Sequence, residues 1–135
     1  MDANEREAER WFRQGEKDLR SSKNSLASGD YEWACFQAQQ SSEKVLKALL
    51  YARGFRRILT HSIFELIIEI GIFANEIMAL KTEAKLLDSV YITSRYPDSI
   101  VGNLTPSEYF EEEDAIQCIR SAELIYGIAK RLLYG

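Results

Sequence analysis

The sequence is poor in the residues that build metal and redox sites. It has a single histidine, His61, and two cysteines, Cys35 and Cys118, which lie far apart and match no metal-binding or redox spacing. The acidic run at 111–113 lacks the alternation of a calcium-binding loop. No glycine-rich phosphate loop is present either. We therefore expect no metal site, and a phosphate-bearing ligand would have to be held by side chains and helix N-termini.

Long uninterrupted apolar segments are also missing. The most apolar stretch, residues 63–80, is broken by four polar residues and by Gly71, so it cannot span a membrane. The first 20 residues are dense in charge, which argues against a signal peptide. We therefore expect a cytoplasmic protein, in which Cys35 and Cys118 are buried free thiols on apolar helices.

Charge is distributed unevenly along a chain whose length suits one domain, residues 1–135. The net charge of −4 gives no general argument for nucleic-acid binding. Five basic residues nevertheless lie within 44–57, and five acidic residues with no basic one lie within 108–114. Such asymmetry can steer a partner or a ligand to one end of the molecule, or it can reflect two solvated faces.

Helical periodicity runs through almost the whole sequence, and no segment shows convincing strand alternation. The predicted helices cover about 5–27, 31–53, 63–70 and 75–93, and a last helix starts at the Thr105-Pro106-Ser107-Glu108 capping box and continues to the C-terminus. Gly29 and Gly54 are predicted stops, and Thr60 or Ser62 is the predicted cap of the third helix. Pro97 and Gly102-Asn103 predict a loop over 95–103. We predict an all-α protein, an up-and-down bundle of four to five helices.

The second helix has the clearest pattern. At about 100° per residue, its small and aliphatic residues fall on one broad face. Gln39, Gln40, Glu43, Lys44 and Lys47 fall on the opposite side. This pattern predicts an amphipathic helix with a polar outer face, and small residues near its start that let a neighbouring helix approach closely.

The order of several short motifs resembles the HEPN family, a nucleotide-binding domain shared by higher eukaryotes and prokaryotes. The segment 29–50 is similar to the family's second helix, and His61-Ser62-Ile63 with Leu66 is similar to the start of its third. The similarity extends from Trp11 to the last helix. The remaining matching residues are Leu87-Asp88, Tyr91, Ser94-Arg95-Tyr96-Pro97-Asp98, Asp114-Ala115 and Ala122.

The resemblance implies a helical bundle that commonly forms a homodimer. It also implies a partner, because small stand-alone members often accompany a minimal nucleotidyltransferase in a two-component system of toxin–antitoxin type. Some members are metal-independent ribonucleases with an Arg-x(4–6)-His motif. Others are nucleotide-binding or purely structural modules, so a nucleotide is the one ligand that the resemblance suggests.

Arg56 and His61 are the candidate catalytic residues. Arg56-x4-His61 has the spacing of the ribonuclease motif. An imidazole could act as general base toward a 2′-hydroxyl while an arginine stabilises the charged phosphorane. However, the pair lies in the connection between helices, and Arg57 stands where nuclease members carry a polar Asn or His. The alternative interpretation of His61-Ser62 is a hydrogen-bonding pair at a helix start.

Lys47, Arg95, Tyr96 and Asp98 are the candidate ligand-binding residues. Arg95 could clamp a phosphate, Tyr96 could stack on a base and Lys47 could add a point charge. Alternatively, Arg95 and Asp98 lock the loop by pairing with each other or with helix ends, and Lys47 forms an i,i+4 pair with Glu43. The large rings of the first two helices belong either to the core or to a subunit interface: Trp11, Phe12, Trp33 and Phe36.

Overall fold

A computed structural model describes residues 1–135 as helices and turns without any strand, which confirms the all-α prediction. No helix combines the length and the apolar character needed to cross a membrane. Short 3₁₀ turns precede and follow the fourth helix, at Asn75–Leu80 and Pro97–Ser99. The helices are α1 (Ala3–Ala27), α2 (Tyr31–Ala52), α3 (Ile63–Gly71), α4 (Lys81–Val90), α5 (Pro106–Tyr109) and α6 (Glu112–Tyr134).

Helices α1 and α2 form a tight antiparallel pair. Gly29 makes the turn between them with φ +80°, as its position in the sequence predicts. The two helices approach closely at Gly15 of α1, where an added Cβ would lie 2.6 Å from Val45 Cγ1 and 3.0 Å from the backbone oxygen of Ser41. The predicted small residues of α2, Ala34 and Ala38, are fully buried.

Helix α2 is the centre of the molecule, so the prediction of an amphipathic helix with a polar outer face is wrong. Thirteen of its 22 residues are buried, and five of these are polar or charged. Gln39, Glu43 and Lys47, which the helical wheel places opposite the apolar face, are only 0%, 5% and 3% exposed. Neighbouring segments therefore cover both faces of α2.

The segment that covers the polar side is the connection between α2 and α3. After Gly54, with φ +94°, the chain turns back along α2, and the carbonyl oxygen of His61 accepts a hydrogen bond from Gln39 Nε2 at 3.0 Å. Gln39 lies 13 residues before the end of α2, so the connection runs back along the helix by roughly 20 Å at 1.5 Å per residue. Ser62 then caps α3 by accepting from the backbone N–H of Glu65, which confirms one of the two predicted caps.

The predicted last helix is divided into two. Thr105 and Glu108 form the expected capping box, but α5 ends after Tyr109, where Phe110 adopts extended geometry. The backbone N–H of Glu111 donates to Asp114 Oδ2 at 2.9 Å and starts α6 anew. The predicted helix 75–93 also differs, because its first part, Asn75–Leu80, is 3₁₀ and the α-helix covers only Lys81–Val90.

Helix α6 runs beside α2 in the same direction and closes the core. Tyr31 Oη at the start of α2 lies 3.5 Å from Glu112 Oε2 at the start of α6. Cys35 and Cys118 are buried free thiols on these two helices, as predicted. A hydrogen bond to Cys118, together with burial, raises the pKa of Cys35 above the ordinary thiol range.

Candidate functional site

A buried ion pair lies under the only histidine of the chain. Lys47 Nζ donates to Glu43 Oε2 at 2.9 Å, which confirms the predicted i,i+4 pair, although it lies in the interior rather than on the surface. His61 Nδ1 lies 3.1 Å from the same carboxylate oxygen. Glu43 is thereby shared between a buried ammonium group and an imidazole ring whose side chain is 56% exposed.

The contact with Glu43 determines what His61 offers to a ligand. A carboxylate can only accept a hydrogen bond, so the proton of this contact belongs to Nδ1 of His61. In the neutral ring, Nε2 is then the unprotonated nitrogen, and it has no hydrogen-bond partner within the chain. A carboxylate behind an imidazole fixes the ring orientation and makes Nε2 an available acceptor or base.

Asp88 fixes the segment that carries His61. Its Oδ1 accepts from the backbone N–H of Ile63 at 2.6 Å, and its Oδ2 accepts from the hydroxyl of Ser62 at 2.8 Å and from the backbone N–H of Phe64 at 3.2 Å. These bonds satisfy the free N–H groups at the start of α3 with a carboxylate of α4. The start of α3, and with it His61, is tied to α4.

Arg95 follows the end of α4 and lies among aromatic rings. Its Nε and Nη2 donate to the carbonyl oxygen of Tyr91 at 3.0 and 2.7 Å. Its guanidinium carbon lies 4.3 Å from the ring centre of Phe36, 4.7 Å from that of Tyr91 and 5.0 Å from that of Tyr96. Arg95 thus binds a helix end, one of the predicted alternatives, and it forms no ion pair with Asp98.

Tyr91 brings the two predicted sites together. The imidazole of His61 stacks on the ring of Tyr91 with 5.3 Å between ring centres and 17° between planes. Because Arg95 lies against the same tyrosine, His61 and Arg95 belong to one surface, although they are 34 positions apart in the sequence. We call the residues His61, Tyr91, Arg95 and Tyr96, with Glu43 and Lys47 beneath His61, the His61–Arg95 site.

The charges of the His61–Arg95 site favour an anion. Lys47 and Glu43 neutralise each other, whereas Arg95 has no carboxylate partner in the chain. Its side chain is partly exposed, and Tyr96 beside it is 49% exposed. A guanidinium group held by rings and by one carbonyl oxygen keeps donors for a phosphate, and exposed aromatic faces can stack on a base.

Arg56 and Asp98 lie outside the His61–Arg95 site, whereas Lys47 lies beneath it. Arg56 is exposed and donates to Asn4 Oδ1 at 2.7 Å, and no hydrogen bond joins it to His61. Asp98 is exposed on the 3₁₀ turn after Arg95. Lys47 is buried and paired, so it supports His61 through Glu43 and does not present its ammonium group to solvent.

Sequence reasoning missed four residues that form or support the site. Gln39 and Glu43 have helical spacing that places them on a polar face, and only the return of the connection along α2 buries them. Asp88 caps a helix from 25 residues away, which no local pattern reveals. Tyr91 did carry a signal, because it lies four residues before Arg95 at the end of a helix, where the two side chains share a face.

Comparison with known proteins supports the same fold and family. A protein named "Putative toxin MJ1304" from Methanocaldococcus jannaschii is 29% identical over 133 residues, covering 93% of this chain and 88% of that protein. The crystal structure of TT1696 from Thermus thermophilus superimposes with a TM-score of 0.87 at 34% identity, covering 93% of this chain and 97% of that one.

A second solved structure carries the family name. The crystal structure of ST0689, an archaeal HEPN homologue, matches with a TM-score of 0.76 at 36% identity and covers 93% of this chain and 97% of its own. The family model described as HEPN domain matches residues 8–132. This chain therefore belongs to the HEPN family.

Proposed function

We propose that this HEPN chain binds a nucleotide at the His61–Arg95 site. The observation that carries the proposal is the placement of Arg95, a cation without a carboxylate partner, against the same aromatic ring as His61. In this account Arg95 contacts a phosphate, an exposed ring such as Tyr96 stacks on the base, and His61 Nε2 accepts a hydrogen bond. Asp98, two residues after Tyr96 on the exposed turn, is a further candidate for contacting the ligand.

The biological setting proposed for this binding is a two-component system of toxin–antitoxin type. In it the chain forms a homodimer in the cytoplasm and assembles with a minimal nucleotidyltransferase. The family membership and a relative whose name contains the word toxin support this setting.

Nucleotide binding is tested by titrating a fluorescent ATP analogue into the purified protein and measuring anisotropy. We expect saturable binding, weakened about tenfold or more by Arg95→Ala because the phosphate loses a charge-assisted contact. Arg20→Ala is the matched control, since Arg20 is an exposed arginine of α1 without an ion pair, and it should bind like the unmodified chain. Absence of binding, or equal affinity in both variants, would contradict the proposal.

Assembly is tested by a separate measurement. Size-exclusion chromatography with light scattering should give the mass of a homodimer, and addition of a minimal nucleotidyltransferase encoded beside the gene should move the protein to a larger complex. A monomer whose elution does not change on mixing would refute the assembly role and leave nucleotide binding standing.

Metal-independent RNA cleavage is the second candidate function, and the contact between Glu43 and His61 favours it. An imidazole held at Nδ1 by a buried carboxylate can use Nε2 to take the proton from a 2′-hydroxyl, while an arginine stabilises the pentavalent phosphorus. Arg95 lies against Tyr91, the ring on which His61 stacks, whereas Arg56 is hydrogen-bonded to Asn4. Arg95 is therefore the better placed of the two arginines.

Growth assays distinguish these arginines. If the chain is a ribonuclease toxin, its expression arrests growth, and His61→Ala abolishes the arrest. If the His61–Arg95 site is catalytic, Arg95→Ala should also abolish the growth arrest. If the Arg56-x4-His61 motif is catalytic instead, Arg56→Ala should abolish it. Growth arrest that persists in the His61→Ala variant would exclude this function.

A further inference from the structure

A pocket lies between the end of α4, the loop that follows it and the start of α6. Its volume is about 360 Å³, and it shares no residue with the His61–Arg95 site. The apolar part of its lining includes Leu86 and Val90 of α4, Ile100 and Val101 of the loop, and Phe110 before α6. This volume is at the lower end of the range of ligand pockets, about 300–1,000 Å³, so it suits an inserted side chain better than a large cofactor.

Apolar side chains around the pocket are left exposed to solvent. Val101 is 95% exposed, Tyr109 is 49% exposed and Leu104 is 46% exposed. Val101 and Tyr109 line the pocket, and Leu104 lies in the same loop between them. Single exposed apolar residues are common, but a group of them around an apolar pocket marks an interaction surface.

The chain around this pocket carries negative charge without any compensation. Residues 96–119 contain no lysine, arginine or histidine. None of the carboxylates in this segment forms a salt bridge, and the only charged residue in the pocket lining is Asp114. The exposed acidic residues are Asp98, Glu108, Glu111, Glu112, Glu113 and Asp114.

These carboxylates accept hydrogen bonds only from neutral groups. Glu108 accepts from Thr105 and Asp114 accepts from the backbone N–H of Glu111, both at helix starts. Glu113 accepts from Gln117 and Glu112 from Tyr31. The negative field of the segment is therefore available to a cationic partner, which it would steer toward the pocket.

We infer that this pocket is the docking site for a basic peptide segment of a partner protein. One aliphatic side chain of that segment enters the pocket between Val90 and Val101, and flanking lysines and arginines lie over the acidic residues. The apolar anchor supplies most of the affinity, and the charges supply orientation and the rate of association. This inference does not depend on nucleotide binding at the His61–Arg95 site.

The test uses short fluorescein-labelled peptides and anisotropy with the full chain. The peptides carry Lys and Arg around a central Leu, Ile or Met. One control set has Asp at the centre, and another has Glu in place of every basic residue. We expect saturable binding of the basic peptides with an apolar centre, loss of binding in both control sets, and affinity that falls with added salt.

Two variants and one control locate the binding. Val101→Ser removes apolar surface from the pocket mouth without adding charge, on a side chain so exposed that folding is preserved, and it should weaken binding about tenfold. Glu113→Lys should weaken binding as well, whereas Glu69→Lys, the same charge change on the exposed side of α3, should not. Circular dichroism verifies that each variant is folded. Failure of all the basic peptides to bind, or equal affinity for the three variants, would overturn the inference.

Discussion

The Lys47–Glu43 ion pair shows how buried charges can orient an exposed side chain, the imidazole of His61. Glu43 and Lys47 are each nearly inaccessible, and Gln39 adds a contact of 3.4 Å between its Nε2 and Glu43 Oε1. Burial of two charges is unfavourable unless each is paired and hydrogen-bonded, and both conditions hold here. The consequence at the surface is that the imidazole of His61 is kept in one orientation and one tautomer.

Removal of Lys47 should destabilise the protein strongly. Lys47→Met leaves the Glu43 carboxylate buried without its cation, so we expect a loss of about 3–5 kcal/mol in the free energy of unfolding. Urea denaturation followed by circular dichroism measures it. The double variant Lys47→Met, Glu43→Gln should recover much of the loss, and Lys17→Met, on the exposed side of α1, should change stability by less than about 0.5 kcal/mol. A loss below about 1 kcal/mol in Lys47→Met would contradict this account of the pair.

Ionisation of Tyr126 should lower the free energy of unfolding at alkaline pH. Burial and a hydrogen bond to Glu16 raise the pKa of Tyr126 from its ordinary 10 to about 12. Because the folded-state pKa is the higher one, its stabilising contribution is complete below pH 10 and is lost as the pH rises from about 10 toward about 12. Burial also raises the pKa of Tyr51 and Tyr134, and both add to this loss.

Unfolding free energies measured between pH 8 and pH 12 test this contribution. Tyr126→Phe should give a shallower alkaline decline, and Glu16→Gln should reduce the decline in part because it removes the second cause of the shift. Identical slopes for Tyr126→Phe and the unmodified chain would show that Tyr126 is not responsible.

Local sequence signals determine where the helices begin and end, whereas tertiary contacts determine which helix faces are buried. The stops at Gly29 and Gly54 and the caps Ser62 and Thr105 were predicted from local patterns, because turn geometry and capping depend on neighbouring residues. The break at Phe110 was missed because the weak Glu111–Asp114 cap stands inside a continuous helical pattern. The buried polar side of α2 was missed because a distant segment covers it.

The crossing of α1 and α2 depends on the absence of a side chain at Gly15. Alanine favours a helix by about 0.5–1 kcal/mol over glycine, but a Cβ here would meet Val45 and the backbone of Ser41. The backbone of α2 cannot move without disturbing the core, so Gly15→Ala should cost about 1–3 kcal/mol. Gly127→Ala is the matched control in α6, where the Cβ meets nothing within 4 Å, and it should stabilise the protein. Thermal denaturation that ranks Gly15→Ala above the unmodified chain would contradict the close packing.

For the molecule as a whole, the sequence revealed the uneven distribution of charge, and the structure shows which of the charged residues are paired within the chain. Lys44 and Lys47 are paired with Asp18 and Glu43, so the basic stretch offers less free charge than its composition indicates. The acidic stretch at 108–114, which leads into α6, forms no ion pair within the chain. Patterning predicted the all-α fold, because helical periodicity and capping agree along the chain. It indicated His61 and Arg95 as separate candidates but did not predict that they share one surface, since they meet only through tertiary packing on Tyr91.

The single histidine makes one experiment especially direct. With isotope-labelled histidine, the imidazole of His61 is the only histidine ring signal in the NMR spectrum of the chain. Titration with ATP should shift this signal in a saturable manner, since the ligand contacts Nε2 and the ring stacks on the tyrosine that also holds Arg95. Arg95→Ala should move the shift to at least about tenfold higher ATP concentration, and Arg20→Ala should leave it unchanged. A His61 signal that ATP leaves unmoved in the unmodified chain would contradict nucleotide binding at the His61–Arg95 site.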